Sequence, residues 1–280
     1  MLLGGIAVLS AVVCVIICAT AGAFDGWQWL WVLPVGFVGS FLALLLLAFL
    51  FLWLMCAFVN MDKPQEKDSP FYRGLMNLYI PAVPKILRMR MHTRGVEQIP
   101  GQGRFLLVCN HLNILDPVVL LACFPKSQLA FISKRENDSM FIIGKLMHKI
   151  MCQPINREND REALKTILRC IQLIRDDVVS VGVFPEGYTS LDEKLHSFRS
   201  GVFKIAQKAN VPIVVCTLQN TQHVFSNAAR LRPTDVEVHL LGVIPPEELK
   251  DVSAVQIGER VHGMMAADLG PENVLPEDNA

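Results

Sequence analysis

Two short strings hold the residue types that can move an acyl group: Asn110-His111-Leu112-Asn113-Ile114-Leu115-Asp116 and Phe184-Pro185-Glu186-Gly187. A neutral imidazole is the natural general base near neutral pH. His111 can take the proton from an incoming alcohol as that oxygen attacks a thioester. A carboxylate bonded to the other ring nitrogen would fix the tautomer and stabilise the imidazolium, as in serine-hydrolase triads. Asp116 has the charge for this, and the intervening turn can fold it back. Asp116 also precedes Pro117, and Asp-Pro is a standard helix start with Asp as N-cap. The two roles are compatible, because a cap has a second oxygen to offer. His92, His148, His196, His223, His239 and His262 have no comparable context.

In the second string Pro185 stiffens the turn, and Gly187 lets the backbone approach a ligand. N–H groups exposed there can hold an anion. Glu186 is unusual in such a place unless it pairs with a cation or binds a hydroxyl. Lys134, Arg135, Arg157 and Arg199 are candidate phosphate ligands, each close to the end of an expected strand or the start of a helix. No Gly-x-Ser-x-Gly elbow is present, which argues against a serine hydrolase. The Gly101-x-Gly103 pair lacks a third glycine, so a dinucleotide site is not supported.

The elements that must position these residues follow from periodicity. Strands are expected at 86–93, 104–109, 128–133, 151–155, 178–184, 211–217 and 235–243, and helices at 116–124, 139–149, 159–175, 200–209 and 253–269. Runs such as Phe105 to Cys109 and Val211 to Cys216 are apolar on both faces. That pattern predicts an α/β fold with a mostly parallel sheet flanked by helices on both faces. Sites in such sheets form beyond the carboxyl ends of the strands, where both strings lie.

Composition divides the chain. Residues 1–61 contain no Lys or Arg and one charge, Asp25. Met1–Phe24 and Gly26–Met61 are each long and apolar enough to cross a bilayer, which predicts a membrane-embedded helical hairpin over 1–61. Trp27, Trp29 and Trp31 cluster at the turn, as aromatics do at an interface. Lys63, Lys67 and Arg73 follow the second segment and place the main domain on the cytoplasmic face. Ala21-Gly22-Ala23 resembles a signal cleavage site, but no Lys or Arg precedes the apolar run. Pro34 and Gly36 leave open a hairpin confined to one leaflet.

Residues 62–84 are expected to be a basic amphipathic connector, 85–270 the α/β domain and 271–280 a frayed tail. Phe71, Leu75, Leu78 and Tyr79 fit one helical face, and from Arg73 to Arg94 there are five basic residues and no acidic one. That stretch is read equally as a lipid-headgroup contact or as a solvated helix leading into a strand. Net charge is zero, which makes nucleic acid an unpromising partner. The eight cysteines show no Cys-x-x-Cys spacing and read as structural thiols.

Taken in order, the motifs resemble the glycerolipid acyltransferase family. That family carries Asn-His-x-x-x-x-Asp, a block ending in Arg, Phe-Pro-Glu-Gly-Thr-Arg-Ser, and an apolar strand with Pro. Here they read Asn110 to Asp116, Gln153-Pro154-Ile155-Asn156-Arg157, Phe184 to Ser190, and Val211-Pro212-Ile213-Val214. The resemblance spans residues 85–245. It implies direct acyl transfer from acyl-CoA or acyl-carrier protein to the 2-hydroxyl of a lysophospholipid acceptor, lysophosphatidic acid, at a lipid bilayer. It implies no covalent acyl-enzyme, no metal and no bound cofactor. His111 would be the base and Asp116 its partner. Lys134, Arg157 and the Glu186-Gly187 turn would hold the glycerol phosphate. The family's Thr-Arg after Glu-Gly is Tyr188-Thr189 here, so an arginine associated with the acceptor phosphate is missing. Either Arg199 compensates or the acceptor is another lysolipid. Asn113 also stands where Ser is common. The reading of another class is a non-catalytic lipid or acyl-carrier binding protein.

Overall fold

The computed structural model describes residues 1–190 and 192–275. It divides into two compact units, Met1–Lys63 and Pro64–Ala280. In the first, α1 (Leu2–Thr20) and α2 (Trp29–Ala57) flank a 3-10 turn, Ala23–Asp25. At 1.5 Å per residue they are about 28 and 43 Å long, against an apolar bilayer core of about 30 Å. Both are apolar enough to cross a membrane, and most of each is unburied. Core helices of a soluble protein would be mostly buried. Small residues let α1 and α2 approach closely. A Cβ on Gly36 would lie 3.0 Å from the Cys14 sulfur, and the Cys14 thiol reaches the Leu33 carbonyl at 3.1 Å.

The second unit opens with α3 (Pro70–Tyr79) and α4 (Ala82–Ile86), and then alternates: β1 (Met89–Arg94), β2 (Leu106–Cys109), α5 (Asp116–Cys123), β3 (Leu129–Lys134), α6 (Phe141–Lys149), β4 (Gln153–Ile155), α7 (Asp160–Arg175), β5 (Ser180–Val183), α8 (Lys204–Ala209), β6 (Ile213–Gln219), α9 (Val224–Ala229), β7 (Thr234–Ile244) and α10 (Ala254–Leu269). The sheet runs β1-β7-β6-β2-β5-β3-β4. Every pairing is parallel except β6 with β7. This is the mostly parallel, helix-flanked sheet that the double-faced apolar runs require.

Alternation along β2 divides the core into two layers. Leu107 and Cys109 pack with Val119, Leu120, Phe131 and Leu218 on one face. Leu106 and Val108 pack with Ile171, Ile205, Val261 and Met265 on the other. Each fully buried aliphatic side chain contributes about 1.5–3 kcal/mol, whereas an exposed ion pair contributes about 0–1. Burial on both faces of β2 therefore fixes the strand that carries the active loop. Gly182 matters for space: a Cβ there would lie 2.4 Å from the Phe131 ring. Phe131 thus lies over bare backbone and stacks on Phe184, centroids 5.7 Å apart.

Three expectations need correction. The connector's apolar face is split: Leu75 is buried, but Phe71 and Leu78 point outward. Arg73 is 7% exposed and turns inward. It donates to Asp68 at 2.9 Å, to the Leu129 carbonyl at 2.7 Å and to the Ile150 carbonyl at 3.2 Å. A guanidinium with these partners clamps α3 to the domain and is not available to lipid headgroups. The strand expected from residue 86 starts at Met89, because 82–86 is helical and Arg88 takes a left-handed φ of 54°. The expected frayed tail is docked in its first half. Leu195 donates to the Asn273 carbonyl at 2.8 Å and accepts from the Leu275 N–H at 3.1 Å. Residues 276–280 lie outside the described residues.

Candidate active site

β2 ends because the Asn110 side chain takes over its ladder. The Asn110 amide donates to the Leu218 carbonyl at 2.9 Å, and its oxygen accepts the Leu218 N–H at 2.8 Å. The side chain thus stands in for a backbone partner beside β6, and the main chain is free to turn out at His111. Asn110→Ala would leave both Leu218 groups buried and unpaired, at about 1–3 kcal/mol each. A lowered melting temperature, measured by calorimetry, is the expected result.

Asp116 is wholly buried and belongs to the first turn of α5. The expected N-cap role is not what it does. Leu115 holds the cap position, and the Asp116 carboxylate points back into its own loop. Its Oδ2 accepts from the Leu112 N–H at 2.7 Å, the Asn113 N–H at 2.8 Å and His111 Nδ1 at 2.8 Å. Asn113 in turn accepts the Leu115 N–H at 3.0 Å, a short-range bond that closes the loop. Since a carboxylate only accepts here, Nδ1 carries the ring proton and Nε2 presents its lone pair. Nε2 has no partner among the described residues, and the His111 side chain is 15% exposed. The ring lies on Phe184, centroids 4.2 Å apart at 20°.

The Phe184–Ser190 turn holds the same histidine by its backbone. Glu186 Oε1 accepts the His111 N–H at 2.9 Å, and the Ser190 N–H donates to the His111 carbonyl at 2.9 Å. Glu186 Oε2 accepts from the Ser190 hydroxyl at 2.6 Å and the His196 N–H at 3.1 Å. Glu186 is 1% exposed, so its carboxylate is spent inside the protein. Burial pushes it above the usual carboxylate range, against the bonds from Ser190, His111 and His196. The expectation of a hydroxyl-binding glutamate therefore meets a side chain that joins two loops.

Gly187 has φ of 83°, and a Cβ there would lie 2.9 Å from Arg199 Nε. The Arg199 side chain lies over that glycine, and the Arg199 backbone N–H donates to the Pro185 carbonyl at 2.8 Å. Arg157 lies close enough to feel it. Burial first, then the like charge of Arg199, pulls Arg157 below the usual guanidinium value, with Glu136 acting the other way. Neither guanidinium has a hydrogen bond or ion pair among the described residues. Two like charges within each other's electrostatic range, neither hydrogen-bonded nor ion-paired among the described residues, can receive an anionic group. Lys134 is exposed and paired with Glu136 at 3.2 Å. Arg135 is likewise exposed, 3.7 Å from Glu162. Gly187→Ala would strain the turn and displace Arg199. The expected outcome is a raised acceptor KM in steady-state kinetics, with the donor KM unchanged.

Sequence reasoning missed Asn110, Phe184, Ser190 and Thr221 as parts of this assembly. Asn110, Phe184 and Ser190 stood inside the quoted motifs, where a reader could have asked what they bond. Thr221, whose hydroxyl donates to Asp116 Oδ1 at 2.6 Å, had no local signal.

Comparison with known proteins agrees with this arrangement. A family model described as Acyltransferase matches residues 90–219. A probable 1-acyl-sn-glycerol-3-phosphate acyltransferase of Mycoplasma pneumoniae is 31% identical over 164 residues, 55% of this chain and 60% of that protein. A 1-acyl-sn-glycerol-3-phosphate acyltransferase of Chlamydomonas reinhardtii is 30% identical over 255 residues, 90% of this chain and 70% of that protein. The crystal structure of the 1-acyl-sn-glycerophosphate (LPA) acyltransferase PlsC from Thermotoga maritima superposes with a TM-score of 0.59 at 20% identity, covering 70% of this chain and 78% of that one. At that identity the likeness establishes the fold alone. The Chlamydomonas match runs through both strings and both units, and on its strength the chain belongs to the glycerolipid acyltransferase family.

Proposed function

We propose that the protein moves a fatty acyl group from an acyl-CoA or acyl-carrier protein thioester to the 2-hydroxyl of lysophosphatidic acid, giving phosphatidic acid. The observation that carries this reading is the His111–Asp116 pair, with Nε2 free, joined through the Glu186-Gly187 turn to two unpaired guanidinium groups. Nε2 takes the proton of the acceptor hydroxyl as its oxygen attacks the thioester carbonyl. The carbon–oxygen bond forms, the tetrahedral adduct collapses, and the carbon–sulfur bond breaks. The imidazolium returns its proton to the departing thiolate. Asp116 holds the ring while it is charged. Arg157 and Arg199 hold the phosphate, and Glu186 places the histidine. The turn's role as an acceptor platform falls to Gly187 and Arg199, with Lys134 at the outer rim. Metal and bound cofactor have no step in this scheme.

The apolar α1 and α2 support work at a lipid bilayer, where both the acceptor and the product reside. Lys63 and Lys67 after α2 support a cytoplasmic position for the α/β unit. The second reading keeps the chemistry and changes the acceptor. Thr189 supplies no charge where the family has arginine, and this favours testing other lysolipids.

The test crosses acyl-CoA and acyl-carrier protein donors with several lysolipids, using full-length protein in detergent. Transfer to lysophosphatidic acid is expected. Equal or better use of another lysolipid would replace the acceptor, and transfer to none would leave a lipid-binding protein. Arg157→Ala is expected to raise the acceptor KM about 10- to 100-fold, the loss of one charge-assisted pair, with the donor KM unchanged.

A further inference from the structure

We infer that Thr221 is a positioning residue for the proton-transfer pair, acting through Asp116; the inference rests on the reading of His111 as the base. Thr221 is wholly buried in the 3-10 turn Thr221–His223 that follows β6. Its hydroxyl donates to Asp116 Oδ1 at 2.6 Å. The other carboxylate oxygen is held by its own loop, through the Leu112 and Asn113 N–H groups and the histidine ring. Gripped at one oxygen alone, a carboxylate can still rotate about the bond to its Cβ. The Thr221 bond holds the second oxygen and so sets the plane that the imidazole follows. It is also the partner of Oδ1 among the described residues, and Asp116 has no exposed surface through which water can replace it.

The link is long-range. Thr221 leaves β6, the same strand whose Leu218 carries the Asn110 side chain. β6 therefore fixes the histidine loop twice, once at its first residue and once at its acid. A left-handed Asn220, φ 67°, makes the turn that brings Thr221 back toward Asp116. A residue that only filled space here would need its methyl group. A residue that orients Asp116 needs its hydroxyl.

The experiment separates those two roles. Thr221→Val keeps the shape and loses the donor, while Thr221→Ser keeps the donor and loses the methyl. Thr221→Val is expected to lower kcat about 10- to 100-fold, the equivalent of one hydrogen bond to a charged group, with both KM values changed less than about two-fold. Thr221→Ser should stay within about three-fold of wild type, since its donor is kept. In an Asp116→Asn background, Thr221→Val should lower kcat by less than it does alone, because the charge that the hydroxyl steadies is already gone. NMR of isotope-labelled histidine reads the ring directly. His111 should carry its proton on Nδ1 in the wild type and in Thr221→Ser, and lose that preference in Thr221→Val.

Wild-type kcat in Thr221→Val, or equal damage from Thr221→Ser, would overturn the proposal. If Thr221→Val does not fold, Thr221→Ala against Thr221→Ser gives the same contrast. Absence of turnover in the wild type would remove the enzymatic reading, while the tautomer measurement would still decide the Thr221–Asp116–His111 relay on its own.

Discussion

Replacing His111 with alanine is expected to lower kcat about 10²–10⁴-fold, with the KM of both substrates nearly unchanged. The ring has one committed nitrogen and one free nitrogen. Nδ1 is spent on Asp116, so Nε2 is where an acceptor proton can go. The Glu186 carboxylate cannot substitute, because it is buried and both of its oxygens are bonded inside the protein. The backbone of the loop should survive the change. The His111 N–H and carbonyl are held by Glu186 and Ser190, and those bonds do not involve the side chain. Steady-state kinetics with both substrates varied, alongside a thermal melt, separates chemistry from folding. Turnover within about two-fold of wild type would exclude general-base catalysis at this position.

Asp116→Asn is expected to be nearly as damaging to kcat, yet gentle on the fold. The amide oxygen can take the place of Oδ2 and accept the same donors from Leu112, Asn113 and His111. The amide nitrogen then faces the Thr221 hydroxyl, which can rotate to accept. The bonds to the loop are kept while the negative charge is lost. The imidazolium then forms with no buried counter-charge, and the expected loss is about 10²–10⁴-fold, the range of the general-base contribution itself. Asp116→Ala makes the contrast. It strips the buried donors of their acceptor, at about 1–3 kcal/mol for each group left unpaired, and should lower the melting temperature as well as kcat. Equal thermal stability of the Asn and Ala variants would show that the carboxylate is not the hub that the geometry makes it. Equal turnover of Asp116→Asn and wild type would show that its charge is idle.

The domain's elements were readable because their signals are local. The run Phe105 to Cys109 is apolar at every position, and only a strand covered on both faces buries all of it. The helix over 159–175 shows its stripe at the residues that the structure buries, Ile167, Ile171 and Ile174. Errors came where local and distant demands compete. Arg73 sits on a stretch that reads as basic and solvent-facing, yet two carbonyls from other elements, together with Asp68, draw it inward. Asp116 has the sequence context of a cap, yet the free N–H groups of its preceding loop and a distant threonine claim its oxygens. Glu186 reads as a ligand for substrate. The pairing of β2 with β5 puts it beneath His111 instead.

The short helices Ala82–Ile86 and Val224–Ala229 escaped the periodicity, but the amino-acid order alone determined the seven strands and the longer helices of the α/β unit, the two apolar N-terminal helices and the family. Each is written in composition, periodicity or contiguous motif, and none needs knowledge of a partner segment. The tertiary structure decided which strands are neighbours, and with that which side chains meet. Thr221 reaches Asp116, Leu218 receives Asn110, and Glu186 receives the His111 N–H only because the sheet order places β6, β2 and β5 side by side. Strand order is set by how all the apolar faces are buried together. No single window of sequence contains that sum.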